Sequence, residues 1–127
     1  MRGRKTTEDY LKTIYILSRS HEVHGCMIAE ELGVSRPTVS VLLRKLETEG
    51  FIKIDCMKAV TLTESGLQLA RSVYERYEVL RRFLIHLGVE EREAYRDACE
   101  MEHGLGDESL KALKNLACQI EKQKSCQ

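Results

Sequence analysis

Residues 99–103 read Cys-Glu-Met-Glu-His. On a helix, Cys99, Glu102 and His103 fall at i, i+3 and i+4, and at about 100° per residue they share one face. A thiol, a carboxylate and an imidazole are three of the commonest metal ligands, so this face is a candidate metal site. The bland alternatives are a buried structural cysteine beside a solvated acid and histidine. Glu100 lies off the face and reads as a solvated charge. The stretch also sits one residue from the H-x-x-E-H pattern of inverted zinc proteases. A cysteine in place of the first histidine, and a general base doubling as ligand, weigh against hydrolysis, so no catalytic residues and no enzyme are expected.

A second group of residues could do recognition chemistry. Ser35, Arg36, Pro37, Thr38 and Ser40 cluster where a helix begins, with Arg44 one turn further on and Lys58 in a later turn. Small hydroxyls, an arginine and helix N-terminal amides suit phosphates and base edges. A solvated charged face is the competing reading. What decides between them is the order of elements. A capping pattern at Thr6 or Thr7, with Glu8 and Asp9 following, opens a helix carrying Leu11, Ile14, Tyr15 and Leu17. A short helix, MIAEEL, is stopped by Gly33. Ser35 caps the next helix, Pro37 falls in its first turn, Val39, Leu42, Leu43 and Leu46 form its apolar stripe, and Gly50 ends it. FIKID and AVTLT then alternate as a hairpin around CMK. That succession predicts a winged helix-turn-helix, whose second helix enters the DNA major groove by its N-terminal residues. Three helices complete the chain: one from about Thr63 to Leu87, one ending near Gly104, and one capped by Asp107. The fold class is mainly α with a small β-hairpin.

Composition sets bounds around this. At 127 residues the chain holds one or two small domains. Lys+Arg and Asp+Glu balance at 20 each, so local patches rather than net charge must decide on nucleic acid. The five cysteines are odd in number and scattered, which argues for a reducing compartment over a disulfide framework. Cys26, Cys56, Cys118 and Cys126 read as structural or incidental, with Cys56 and Cys126 exposed. No apolar run nears the roughly 18 residues of a membrane helix, and the polar start MRGRKTTEDY has no leader character. The expected location is the cytoplasm, with no membrane partner and no small-molecule substrate.

TTEDYLKTIYIL, IAEELGVSRPTVSVLLRKLETEGFI, VTLTESG and DACEMEHGLGDE, in this order and spacing, resemble the diphtheria toxin repressor family, which includes the manganese transport regulators. The resemblance runs from about Thr6 to Leu116. It implies a metal-responsive transcriptional repressor of metal homeostasis genes. Residues 1–72 would form the winged helix-turn-helix DNA-binding domain, and residues 73–127 a helical metal-binding and dimerisation domain. Divalent metal bound between the two would activate binding of a double-stranded DNA operator by a homodimer. The length matches the two-domain manganese-regulator type, without a C-terminal barrel. The resemblance also adds Asp9, otherwise a first-turn charge on the helix dipole, to the ligand set of Cys99, Glu102 and His103. One thiolate, one imidazole and two carboxylates suit Fe²⁺ first, with Co²⁺, Ni²⁺, Zn²⁺ or Mn²⁺ as further candidates.

The departures from the family narrow the count. The positions that would hold a second ion match Lys12, Tyr77, Arg81 and Tyr95 here, none a good ligand for a divalent ion at neutral pH, so one ion per chain is expected. Lys12 and Arg81 could instead supply fixed positive charge. The alternative reading is a winged-helix regulator without metal, sensing redox state through the Cys99 thiol.

Overall fold

A computed structural model of the chain describes the backbone of residues 2–125 and the side chains of residues 6–120. Six helices and one two-stranded sheet lie among the described residues. They fall into two compact units, Met1–Ser72 and Val73–Gln127.

In the first unit, α1 (Arg2–Ser18), α2 (Gly25–Leu32) and α3 (Arg36–Thr48) precede the hairpin of β1 (Ile52–Ile54) and β2 (Val60–Leu62). Helix α1 begins at Arg2, not at a Thr6 or Thr7 cap. Threonine can sit inside a helix as well as cap one, and here the backbone before Thr6 is already helical. Leu11, Ile14, Ile28, Leu46 and Ile52 are fully buried and make the core, with Tyr15, Leu17 and Leu42 packed on its edge.

Gly33 sits at φ 67° and ends α2 in the left-handed region, where its lack of Cβ costs nothing. Two residues later the Ser35 Oγ accepts the Thr38 N–H at 3.3 Å, and Pro37 occupies the first turn of α3. The turn between α2 and α3 is therefore fixed by local chemistry at both ends. The hairpin pairs Ile52 with Leu62 and Ile54 with Val60. Val60 also donates to the Val23 carbonyl at 2.8 Å, so the segment before α2 edges the sheet.

Helix α4 (Glu64–His86) follows the hairpin in the chain. The Thr63 hydroxyl accepts the Gly66 N–H at 3.1 Å and donates to the Gly50 carbonyl at 2.6 Å. A Cβ on Gly66 would lie 2.0 Å from the Phe51 carbonyl oxygen, so this close approach requires glycine.

In the second unit, the later part of α4 packs with α5 (Glu91–Gly104) and α6 (Asp107–Ser125) around Tyr77, Leu80 and Ala98. Asp107 is in the first turn of α6 and accepts from Arg76 at 2.7 Å; it is not the cap expected from sequence. Lys114 donates to Glu75 at 3.1 Å, a second tie from α6 to α4. No described helix is long and apolar enough to cross a membrane.

Candidate metal centre and nucleic-acid interface

Helix α5 carries Cys99, Glu102 and His103 in its last two turns. The alternation of Ala94 and Ala98, both with no exposed surface, seats one face of α5 on the unit's core and takes Glu102 inward with it. Glu102 is 0% exposed. Its Oε1 lies 3.5 Å from the His103 Nε2, and the His103 side chain is 10% exposed. Burying a carboxylate is costly unless it is paired or ligates a cation, and here the nearly buried His103 imidazole lies beside it. Cys99, one turn earlier, is half-buried and packs on the Tyr77–Leu80–Ala98 cluster. The structure thus brings Glu102 and His103 together, while the thiol rests against apolar neighbours on the same helix. Asp9 lies half-buried on α1, in the first unit.

The donor set on α5 fits a borderline divalent ion. Carboxylate, imidazole and thiolate are offered from one helix face, and the groups nearest to one another are screened from water.

Of the positions expected to have lost a second ion, Tyr77 and Lys12 are buried, Arg81 is half-buried and Tyr95 is exposed. Tyr77 is buried, meets Tyr95 edge-on at 5.6 Å and Tyr74 at 6.0 Å. Burial, reinforced by the nearby Cys99, pushes its phenol far above the ordinary value, so it stays protonated and a poor ligand. Arg81 donates through Nε at 2.9 Å and a terminal nitrogen at 3.2 Å to Glu78. Burial raises the Glu78 carboxyl, but Arg81 and Arg82 outweigh it and hold the group below its ordinary range. Glu78 is shared by Arg81 and Arg82, so the Arg81 guanidinium is paired while the three side chains together keep one net positive charge. Lys12 is buried on α1.

On α3, Val39, Leu43 and Leu46 face the core, and Ser35, Arg36, Pro37, Thr38, Ser40 and Arg44 are all exposed. Lys58 is exposed at the hairpin tip with φ 63°. Asp55 braces that tip: its Oδ1 accepts from the Met57 and Ala59 N–H groups, both at 2.9 Å. Sequence reasoning missed this brace, although an aspartate opening a tight loop signals it. It also missed Val41, an apolar residue 67% exposed on α3. Cys26, Cys56 and Cys118 are exposed free thiols, and Cys126 lies outside the described residues.

Comparison with known proteins places these features in context. Residues 4–60 match the N-terminal DNA-binding domain of the iron-dependent repressors, and residues 63–125 match their metal-binding and dimerisation domain. The chain is 38% identical over 112 residues to the transcriptional regulator MntR of Escherichia coli O6:H1, covering 87% of this chain and 72% of that protein. It is 33% identical over 105 residues to the iron-dependent repressor IdeR of Mycobacterium bovis, covering 81% of this chain and 46% of that one. A manganese-dependent transcriptional repressor solved with manganese superposes with a TM-score of 0.81 at 32% identity, over 87% of this chain and 52% of that chain. The chain therefore spans about half the length of the last two.

Proposed function

The chain belongs to the iron-dependent repressor family, and from that premise we propose that it is a metal-responsive repressor binding operator DNA as a homodimer in the cytoplasm. In this reading the unit up to Ser72 binds DNA and the unit from Val73 binds metal and dimerises. The observation that supports it best is the buried Glu102–His103 pair on α5 in a chain whose earlier helices form a helix-turn-helix with a hairpin wing.

Glu102 and His103, with Cys99 brought in by a side-chain rotation on the same helix face, would hold one divalent transition-metal ion per chain. When bound, that ion supplies positive charge and a fixed coordination geometry. Asp9 is a fourth ligand on the strength of the family resemblance. Fe²⁺ is the first candidate and Co²⁺, Ni²⁺ or Zn²⁺ the next, because a thiolate adds little for hard Mn²⁺. Linkage requires that metal and operator raise each other's affinity by the same factor.

On the DNA side, Ser35, Thr38 and the α3 N-terminal amides anchor phosphate, Arg36 and Arg44 reach the groove or backbone, and Lys58 touches backbone from the wing tip. The protein acts by binding alone, with no catalytic residue. Exposed Ile85, Leu87 and Leu116 supply apolar surface for the second copy, and a groove of about 620 Å³ lined by Phe83, Ile85, Ala117 and Ile120 together with Arg81, Arg82 and His86 adds a mixed apolar and cationic surface.

Co²⁺ titration of reduced apo-protein tests the metal assignment. One equivalent per chain is expected, with affinity lost in Cys99→Ala, His103→Ala and Asp9→Ala. Two equivalents, or undiminished affinity in Cys99→Ala, would contradict it. Lys58→Ala should weaken all duplexes alike and lower the salt slope by about one.

A further inference from the structure

The α3 helix turns its apolar stripe of Val39, Leu43 and Leu46 to the core, at 1%, 6% and 0% exposure. At about 100° per residue, Val41 lies about 200° round from Val39 and points directly outward. Its 67% exposure agrees. Pro37 precedes it by one turn on the same outward line, and Arg44 and Thr48 follow it, with Ser40 and Lys45 flanking; all are exposed.

A single exposed aliphatic residue on a protein surface is ordinary. This one is not placed at random. It stands at the middle of the outward face of the second helix of the turn motif, inside the segment matched to a DNA-binding domain, with cationic Arg36, Arg44 and Lys45 around it. Valine is also a weaker helix former than alanine or a long polar residue, so helix stability gives no reason for it. A duplex major groove displays donors and acceptors at every base pair, but only one apolar feature, the C5 methyl of thymine. A branched aliphatic side chain with no polar atom can read nothing else there.

We infer that Val41 is a specificity residue that reads a thymine methyl in each operator half-site, with the Pro37 ring extending the apolar contact. This rests on α3 being the groove-facing helix. Around the contact, the hydroxyls of Ser35 and Thr38 and the cations set register and affinity, and Val41 sets one letter of the sequence.

The test uses duplexes selected from a random pool by the full-length, metal-loaded protein. Each thymine in the selected site is replaced in turn by uracil, which removes the methyl and keeps the base pairing. For the unsubstituted protein, one replacement per half-site should weaken binding about fourfold, the factor corresponding to ~0.8 kcal/mol for one buried carbon group. In Val41→Ala that penalty should shrink to less than about twofold, the remainder coming from the Pro37 ring and the alanine methyl, while the salt slope, which counts phosphate contacts, stays unchanged. Being exposed, the alanine leaves the fold intact, and Val41→Thr, which keeps one methyl, should retain part of the penalty. A full uracil penalty in Val41→Ala, or no penalised thymine in the unsubstituted protein, overturns the inference. If Arg36→Ala and Arg44→Ala also bind as tightly as the unsubstituted protein, the groove-facing assignment of α3 fails as well; if they bind weakly, only the role of Val41 fails.

Discussion

Replacing Glu102 by glutamine separates metal chemistry from structure. The amide matches the carboxylate in shape, so the packing of α5 is kept and only the charge is removed. Glu102 is wholly buried and 3.5 Å from His103, which puts any ion shared by the two within about 4 Å of the lost charge. At an effective dielectric of about 20, one unit charge at that distance interacts with another by roughly 4 kcal/mol. That corresponds to a loss of about a thousandfold in affinity, and a divalent ion makes this a lower bound. The apo-protein should respond far less. The amide keeps the volume and an acceptor oxygen beside His103, so apo Glu102→Gln should be within about 1 kcal/mol of the unsubstituted protein in stability. At a free Co²⁺ concentration 100 times its dissociation constant, the unsubstituted protein should gain about 2.7 kcal/mol by mass action, and the variant at the same concentration almost nothing. Calorimetric titration gives the affinities, and thermal unfolding with and without Co²⁺ gives the stabilities. A variant binding Co²⁺ within tenfold of the unsubstituted protein would refute the assignment of Glu102. A variant whose apo form is several kcal/mol less stable would show that Glu102 is instead a structural charge.

Further outcomes follow from the packing. Gly66→Ala should destabilise the chain by about 1–3 kcal/mol, read from urea unfolding, because its Cβ would meet the Phe51 carbonyl oxygen at 2.0 Å. Glu78→Gln should cost about 1 kcal/mol at neutral pH. The Glu78 carboxyl is held below its ordinary value of 4.5 in the folded state, so its contribution is complete above that value. The difference from the unsubstituted protein should shrink as pH falls through the depressed folded value, and a gap that instead widens in acid would reverse the sign. Leu116→Glu, at a residue 43% exposed on α6, should shift the protein from dimer to monomer in sedimentation at micromolar concentration; an unchanged dimer would place the interface elsewhere.

What the sequence made legible was local. Ser35, Pro37, Gly33 and Gly50 each satisfy or terminate a helix end through their own chemistry, so the helix-turn-helix and hairpin could be read directly. The register of Cys99, Glu102 and His103 follows from helical spacing alone. The misses involve partners distant in sequence. Asp107 resembles a cap, yet its carboxylate is taken by Arg76, 31 residues earlier. The Val23–Val60 bridge joins one residue to a strand and leaves no local pattern. Thr6 and Thr7 carry the right chemistry for a cap but sit inside a helix that had already begun. At the candidate site, spacing showed which residues share a face. It could not show that the acid and imidazole are buried against each other while the thiol rests on Tyr77, because that depends on how α5 packs on α4.

The central claim is that divalent metal held by Glu102, His103 and Cys99 switches on operator binding. Its most direct test is fluorescence anisotropy of a selected duplex, titrated with reduced protein first in chelator and then with one equivalent of Fe²⁺ or Co²⁺ per chain. The account predicts weak, sequence-indifferent binding in chelator and tight, specific binding with metal, the gain lost in Glu102→Gln. Equal, specific affinity in chelator and in metal would contradict it.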